Sequence, residues 1–162
     1  AGLNVLNLRP CYFMENHLAG LGLIKGMNIY GSATAANVKL PMIATRDIVA
    51  AGLPRLLALD FSGQRAMELL GPAEFTMAEV TQAIGAAIDK PELPYVAFPP
   101  EDARQGMIAA GLSPSVAGLF VEMGQSISAG NMNPVETRSA ANTTPTTLAQ
   151  FIADTFVPAY HG

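Results

Sequence analysis

The stretch that most constrains the fold lies near the start of the chain, where a short apolar run is stopped by a proline. The apolar residues at positions 5–8 are too few for a helix, and Arg9 and Pro10 follow them directly. Such a run predicts a buried strand in a sheet covered on both faces. The strand ends at Pro10 because proline has no amide proton for the ladder and keeps its predecessor extended. From Tyr12 onward the pattern is helical, so the turn lies at the carboxyl edge of a sheet, where open α/β folds bind ligands.

Composition places the chain among globular proteins. Its 162 residues suffice for one domain, and 50% of them are hydrophobic while 14% are charged, which argues against disorder. The net charge of −4 offers no basic surface for nucleic acid, and no apolar run approaches the roughly 20 residues of a membrane span. The lone Cys11 excludes an internal disulfide and suits a reducing compartment. We therefore expect a cytoplasmic protein without nucleic-acid or membrane partners, and the absent initiator Met hints at a trimmed chain.

Hydrophobic periodicity predicts early strand–helix alternation followed by a helix-rich rear. Pro41 marks the strand that contains it as an edge strand or a bend. Gly52 and Pro54 are expected to interrupt the helix that starts at Thr45, its predicted N-cap. Beyond the opening strand, the predicted strands cover residues 27–30, 38–44, 66–70 and 95–98, and the predicted helices begin near Met14, Thr45, Thr76, Pro99, Ser113 and Thr144.

Three of these helices carry strong local signals. Thr76 and Glu79 form a capping box, in which two reciprocal bonds to the backbone fix a helix start. Apolar stripes at helical spacing follow this box, follow Ser113 and mark the last helix, and each stripe is expected to face the core. The stripes consist of Val80, Ile84, Ala87 and Ile88; of Val116, Leu119, Phe120, Met123 and Ile127; and of Leu148, Phe151, Ile152 and Phe156 in a last helix that ends near Pro158.

Two segments also resemble a known family. Leu-Arg-Pro at residues 8–10 and Phe-Met-Glu-Asn at residues 13–16 are similar to the late strand and turn of the NmrA-like atypical short-chain dehydrogenase/reductases, and Leu-Leu-Gly-Pro-Ala-Glu-Phe-Thr at residues 69–76 extends the resemblance. That NAD(P)-binding group includes azoreductase-like and triphenylmethane-reductase-like enzymes. The resemblance implies an α/β fold, the rear part of a Rossmann-like sheet plus a small helix-rich substrate domain. Residues 1–162 would form one domain or half-domain that lacks the N-terminal Gly-rich part.

Several catalytic signatures are absent from the sequence. It has no Gly-x-Gly-x-x-Gly turn that opens a helix after a strand, no nucleophile elbow and no Tyr-x-x-x-Lys pair. The two histidines, His17 and His161, are too few and too far apart for a metal cluster. The resemblance implies that the complete protein binds NADP or NAD. Because the grip on a dinucleotide's phosphates is not encoded in these residues, we expect the isolated chain to bind neither and to be inactive.

The candidate site residues come from the opening turn. The resemblance implies that Pro10, Cys11 and Phe13 line the reactive end of the cofactor, while Asn16 and His17 face the substrate. The alternative is that Phe13 belongs to the core, Asn16 is structural and His17 is a packed or surface residue. Cys11 has no adjacent base that would lower its pKa, so we expect an inert thiol rather than a nucleophile.

Three functions remain open from the sequence. The first is the substrate-binding portion of an NAD(P)H-dependent reductase for a small aromatic or quinone-like substrate, in which the protein contributes positioning rather than a nucleophile. The second is a non-catalytic NAD(P)-sensing regulator of the NmrA-like type, and the third is an inactive truncated chain. A homo-oligomer or a missing N-terminal half would cover the sheet edge and apolar surface that such a chain exposes.

Overall fold

The computed structural model of the protein describes residues 2–162. In that range, strands and helices alternate first and helices dominate the rear, with a 3-10 helix at Met14–Gly20 and a π-helical turn at Ile152–Phe156. The strands are β1 (Val5–Pro10), β2 (Tyr12–Phe13), β3 (Tyr30–Ser32), β4 (Leu40–Ile43), β5 (Gln64–Leu69), β6 (Ala73–Phe75) and β7 (Tyr95–Ala97). The helices are α1 (Leu21–Met27), α2 (Thr45–Ala58), α3 (Met77–Ala87), α4 (Pro100–Ala109), α5 (Pro114–Ser128), α6 (Leu148–Phe151) and α7 (Val157–His161).

The strands form three small sheets. β1 and β5 run parallel along their whole length, from Val5 opposite Gln64 to Pro10 opposite Leu69. β4 lies between β2, to which it is parallel, and β6, to which it is antiparallel, while β3 pairs in parallel with β7. The predicted α/β class is confirmed. Each helix within residues 2–162 is too short or too polar to cross a bilayer.

The core lies between the three-stranded sheet, α3 and the C-terminal helical segment. Met42 of β4, Ile84 of α3 and Phe156 of the π-helical turn are fully buried there. The predicted inward stripe of α3 is confirmed for Val80, Ile84 and Ile88. Ala87 of the same predicted stripe is exposed instead.

The start of α3 is held as predicted. The Thr76 hydroxyl accepts a hydrogen bond from the Glu79 N–H at 3.1 Å, and the Glu79 carboxylate accepts one from the Thr76 N–H at 2.7 Å. The capping box is therefore confirmed. These bonds lower the pKa of the Glu79 carboxyl group, since they stabilise its ionised form.

β1 is less buried than its apolar run predicts, and the expectation of a strand covered on both faces is wrong. Leu6 and Leu8 are only half-buried, on the side where α2 lies. Leu8 packs so closely against Gly52 that a Cβ on this glycine would come within 2.8 Å of it. The opposite face carries Asn7 and Arg9, both exposed. One helix on one face leaves this parallel pair only partly covered.

Pro41 was predicted to mark an edge strand or a bend; it lies in the central strand of its sheet, so the first alternative is wrong. β2 pairs only with Met42 and Ile43 of β4, whereas Pro41 is opposite Glu74 of β6 alone. The proline therefore occupies the part of the strand that has a single neighbour. A missing amide proton is tolerated at such a position.

α2 also departs from its predicted form. Its N-cap is Ala44, and the carboxylate of Glu15 accepts hydrogen bonds from the Thr45 N–H at 2.9 Å and the Thr45 hydroxyl at 2.7 Å. The helix continues through Gly52 and Pro54 instead of breaking there. Pro54 leaves the carbonyl four residues earlier without its helical donor, and Ala50, which carries that carbonyl, is exposed to water.

α5 begins where it was predicted, because the Ser113 hydroxyl accepts from the Val116 N–H at 3.3 Å, but its predicted inward stripe is confirmed only in part. Ile127 is buried and Met123 packs against the core. Leu119 and Phe120 of the predicted inward stripe are 62% and 46% exposed. The buried residues of the helix are Ala117, Val121, Gly124 and Ile127. A Cβ on Gly124 would lie 3.1 Å from the Ala33 backbone, so the close approach of the helix to this loop favours a residue without a side chain at position 124.

The last helical segment starts later and ends later than predicted. It begins at α6 with a capping box between Thr147 and Gln150 rather than at Thr144, and it continues past Pro158 to His161. Pro158 lies in the first turn of α7, directly after the π-helical turn, where a missing N–H is tolerated. The four residues predicted to point inward are all buried, which confirms that stripe: Leu148, Phe151, Ile152 and Phe156.

The remaining predicted elements are present with shifted ends. The helix predicted from Met14 begins as the 3-10 helix and continues as α1, which ends at Met27 because Asn28 adopts a left-handed φ of 53°. The strand predicted at residues 27–30 is therefore β3, two to three residues later. Strands predicted at residues 38–44, 66–70 and 95–98 correspond to β4, β5 and β7.

Candidate functional site

A cavity of about 420 Å³ opens at the carboxyl ends of the parallel strands β1 and β5. One wall is the turn from Arg9 to Phe13 together with Asn16. The end of β5, the inner side of α5 and residues 132–134 complete the enclosure. The lining is mainly apolar, with a few polar groups, which is the usual composition of a small-molecule site.

The structure brings four of the five sequence-predicted site residues to this cavity. Pro10, Cys11, Phe13 and Asn16 all line it. Whether they contact a cofactor or a substrate stays a prediction. His17, the fifth, does not line the cavity and has no exposed surface.

The opening turn is rigid because it joins two sheets. The Cys11 N–H donates to the Leu69 carbonyl at 3.0 Å, which extends the β1–β5 ladder by one bond. Directly afterwards, Tyr12 and Phe13 pair with Met42 and Ile43 of β4. Each residue of the turn is thus tied to a strand, and the side chains that face the cavity have fixed positions.

Burial keeps the titratable groups of this turn protonated. It raises the pKa of the Cys11 thiol to about 12, although a bond from its own backbone and the charge of Arg138 act in the opposite direction. Burial also raises the pKa of the Tyr12 hydroxyl to about 12. At neutral pH neither group is an ionised nucleophile, which agrees with the inert thiol expected from the sequence.

His17 lies one layer behind the cavity wall. Its Nδ1 is 2.6 Å from the Tyr30 hydroxyl and its Nε2 is 3.4 Å from the Met42 sulfur. Because sulfur can only accept, Nε2 carries the proton and Nδ1 accepts from Tyr30. The ring centroid of His17 is 5.5 Å from that of Tyr12, a residue of the wall. Burial lowers the pKa of His17 to about 4, so the imidazole is neutral at pH 7.

A hydrogen-bonded group of hydroxyls extends from this layer, and sequence reasoning missed it. The Tyr95 hydroxyl donates to the Thr34 carbonyl at 2.7 Å and accepts from Ser32 at 2.7 Å. The rings of Tyr30 and Tyr95 are 5.8 Å apart. Since β3 and β7 bring these residues together from positions 61–65 apart along the chain, no local pattern could have predicted the contact.

Glu68 is a second residue of the site that the sequence did not reveal. It lies near the end of β5, lines the cavity and is 8% exposed. Its two carboxylate oxygens accept hydrogen bonds from the N–H groups of Val135, at 3.1 Å, and Glu136, at 2.7 Å. The available signal was a charged residue within a predicted strand, which gave no indication of its partners.

Among residues 2–162, no three His, Cys, Asp or Glu side chains converge in a group that could hold a metal ion. The cavity offers an apolar surface and the amides of Asn16 and Asn133. Its ionisable lining residues are Arg9, Cys11, Tyr12 and Glu68. Such an arrangement can bind and orient a flat organic molecule.

The sequence matches no protein-family model and no curated protein, but the fold matches solved structures. An NADPH-dependent quinone oxidoreductase of Escherichia coli, solved with NADPH, aligns over 96% of this chain and 54% of its own length with a TM-score of 0.77 and 21% identity. A triphenylmethane reductase of Citrobacter sp., solved with NADP(H), aligns over 94% and 53% with a TM-score of 0.74 and 14% identity. NmrA, a negative transcriptional regulator solved with NADP, aligns over 99% and 55% with a TM-score of 0.53 and 14% identity.

This chain has their fold. The resemblance stated from the sequence is thereby confirmed at the level of the fold. The chain spans about half the length of each of these proteins.

Proposed function

We propose that this chain supplies the substrate-binding wall of an NAD(P)H-dependent reductase that acts on a small aromatic or quinone-like compound. The observation that supports it is the cavity at the carboxyl ends of β1 and β5. In open α/β sheets this edge is where ligands bind. A cavity of about 420 Å³ lies within the range used for organic ligands and is large enough for a bicyclic ring.

The residues present fit the nicotinamide end of a dinucleotide better than its phosphate end. Pro10 and Phe13 offer apolar surface for one face of a ring. The phosphates would need a glycine-rich turn at a helix start, a motif that the sequence lacks. We propose that Pro10, Cys11 and Phe13 contact the nicotinamide, and that the phosphates are held outside this chain.

When bound, the nicotinamide supplies the hydride, and the residues of this chain act by position. Phe13 and Pro10 would exclude water from the reacting face, while Asn16 would orient the substrate through one hydrogen bond. Cys11 and Tyr12 keep their protons at neutral pH, since burial raises the pKa of each to about 12. The reaction would proceed without a covalent enzyme intermediate.

The same protonation states also suit a second function, a non-catalytic sensor of NAD(P). A protein that only senses a dinucleotide needs no group that exchanges protons near pH 7, and His17, whose pKa is lowered to about 4 by burial, is not such a group. The shared fold with NmrA is consistent with this alternative. Turnover distinguishes the two functions.

Calorimetric titration with tetramethylbenzoquinone tests the proposal, because its fully substituted ring does not add readily to the Cys11 thiol. We expect binding to the wild-type chain and an affinity about tenfold weaker for Phe13→Ala, since a buried ring contributes about 1.5–3 kcal/mol. Phe61→Ala removes the same ring from a separate groove beside Leu6 and Arg65 and should change nothing.

Equal affinities of wild type and Phe13→Ala, or no binding at all, would contradict the assigned site. Quinone-dependent loss of NADPH absorbance then separates the two functions, and it is measured in the complete protein because the isolated chain is expected to bind neither NADP nor NAD. Turnover supports the reductase. Binding of NADPH without turnover supports the sensor.

A further inference from the structure

One wall of the cavity is formed by residues that belong to no helix or strand. Met132, Asn133 and Pro134 line the cavity and lie in the irregular segment that follows α5. Packing against the rest of the chain is sparse here, since Met132 is 49% exposed and the following Val135 is 85% exposed. Hydrogen bonds rather than apolar burial must therefore hold this wall in place.

The bonds that tie the wall to the sheet come from Glu68. Its carboxylate accepts from the N–H groups of Val135 and Glu136, the two residues directly after the wall. Hydrogen bonds to an ionised carboxylate are stronger than neutral ones. Because Glu68 itself lines the cavity from the rigid end of β5, the opposite wall is fixed directly to the sheet.

The rest of the irregular segment is anchored independently. Arg138 donates to the carbonyls of Leu70 and Gly71, and the Leu70 N–H donates to the Asn142 carbonyl at 2.8 Å. At the other end, the Asn133 amide donates to the Gly130 carbonyl at 2.7 Å, just after α5. Loss of the Glu68 bonds would thus free the wall locally and leave the segment attached at both ends.

We propose that Glu68 is a positioning residue that fixes the 132–134 wall and thereby sets the largest aromatic ligand that the cavity admits. The inference rests on the proposed function for the nature of the ligand. With both carboxylate oxygens bonded to the backbone, the role of Glu68 is to hold the wall rather than to transfer a proton. Release of the wall enlarges the cavity on one side.

The test compares Glu68→Gln with Asp47→Asn. Asp47 is a matched control because its buried carboxylate likewise accepts two bonds, from the Thr146 N–H at 2.9 Å and the Thr146 hydroxyl at 2.7 Å, yet it does not line the cavity. Two quantities are measured in the full chain: amide hydrogen exchange at Val135 and Glu136, and the ratio of affinities for dimethylnaphthoquinone and tetramethylbenzoquinone.

Glu68→Gln should accelerate exchange at Val135 and Glu136 about tenfold, because the loss of a charge-assisted bond is worth about this factor. It should also shift the affinity ratio toward the larger quinone, by up to about the same factor, because the released wall leaves room for the second ring. Asp47→Asn should leave both quantities unchanged.

Unchanged exchange at Val135 and Glu136, or an affinity ratio that equals the wild-type ratio, would overturn the inference. If the wild-type chain binds neither quinone, the proposed function fails and the size-setting role fails with it. Exchange that is faster only at Val135 and Glu136 would, in that case, still assign the anchoring of the wall to Glu68.

Discussion

The helices α2 and α3 both carry apolar side chains, but the fold uses them differently. α3 buries Val80 and Ile84 against the three-stranded sheet and the C-terminal helical segment. α2 is three residues longer, yet the residue that it buries is Asp47, while Leu56 and Leu57 are 65% and 77% exposed. The two helices therefore separate a well-covered region from a thinly covered one.

The difference arises from what lies beyond each helix. The stripe of α3 meets the π-helical turn, whose Phe156 is fully buried. α2 meets β1 on one side only, with Gly52 against Leu8, and its leucines point away from the chain. An apolar pattern shows which side chains gain from a covering layer. It does not show whether this chain provides that layer.

The largest expected effect on stability comes from shortening one apolar side chain in each helix. Ile84→Ala in α3 should lower the free energy of unfolding by about 2–5 kcal/mol, through lost burial and a cavity that the sheet cannot fill. Leu56→Ala in α2 should change it by less than about 0.5 kcal/mol, since the side chain is already in water. Urea unfolding followed by circular dichroism measures both. Comparable losses would show that the two regions do not differ in cover.

This contrast also explains which parts of the fold could be predicted from the sequence. α3 is specified locally, by a capping box within four residues and a stripe with a period of 3.6. The opening turn is local too, because a short apolar run followed by Arg9-Pro10 predicts a strand end at a ligand-binding edge. The local pattern predicts this edge, whereas the choice of Pro10, Cys11, Phe13 and Asn16 as site residues came from the resemblance to the NmrA-like group; all four line the cavity.

What could not be predicted depends on distant partners. Leu119 and Phe120 of α5 are exposed because of how this helix packs, with Gly124 against Ala33, a contact between residues 91 positions apart. Glu68 holds residues 67 and 68 positions away. The resemblance implies a substrate contact for His17, whereas the structure places it behind the wall, bonded to Tyr30.

The next effect concerns the well-covered region, where burial of His17 should make the protein acid-sensitive. Burial lowers the pKa of His17 from 6.5 to about 4. Between these two pH values His17 is protonated in the unfolded chain and neutral in the folded chain. The contribution of the neutral His17 to the free energy of unfolding is fully present above about pH 6.5. It is lost as the pH falls toward about 4, and the free energy of unfolding decreases by about 3 kcal/mol in total.

Two histidine variants separate the pH dependence that comes from His17 from that of other groups. In His17→Gln the part of the pH dependence between about pH 4 and 6.5 should disappear, because glutamine does not titrate and its oxygen can still accept from Tyr30. His161→Gln, at an exposed position near the C-terminus, should retain the wild-type profile. Unfolding midpoints in urea across this range provide the measurement. Parallel profiles for His17→Gln and wild type would contradict the assigned burial.

The smallest expected effect on stability tests the thinly covered region directly. Leu57→Ser places a hydroxyl at a site that is 77% exposed and should change the free energy of unfolding by less than about 0.5 kcal/mol. Leu53, Leu56 and Leu59 are also exposed, so the change should nevertheless reduce binding of an apolar dye. Leu3→Ser, at an exposed site away from α2, serves as the control and should leave dye binding unchanged.

A destabilisation of more than about 1.5 kcal/mol by Leu57→Ser, growing with protein concentration, would mean that a second copy covers α2 in solution. The same loss without concentration dependence would mean that another part of the protein covers it. In either case α2 would carry a buried stripe like that of α3, and the difference between the helices would lie in where the covering layer comes from. If Leu57→Ser leaves the free energy of unfolding unchanged at all concentrations, the two helices differ as the isolated chain shows: α3 is packed, and α2 has an exposed apolar surface.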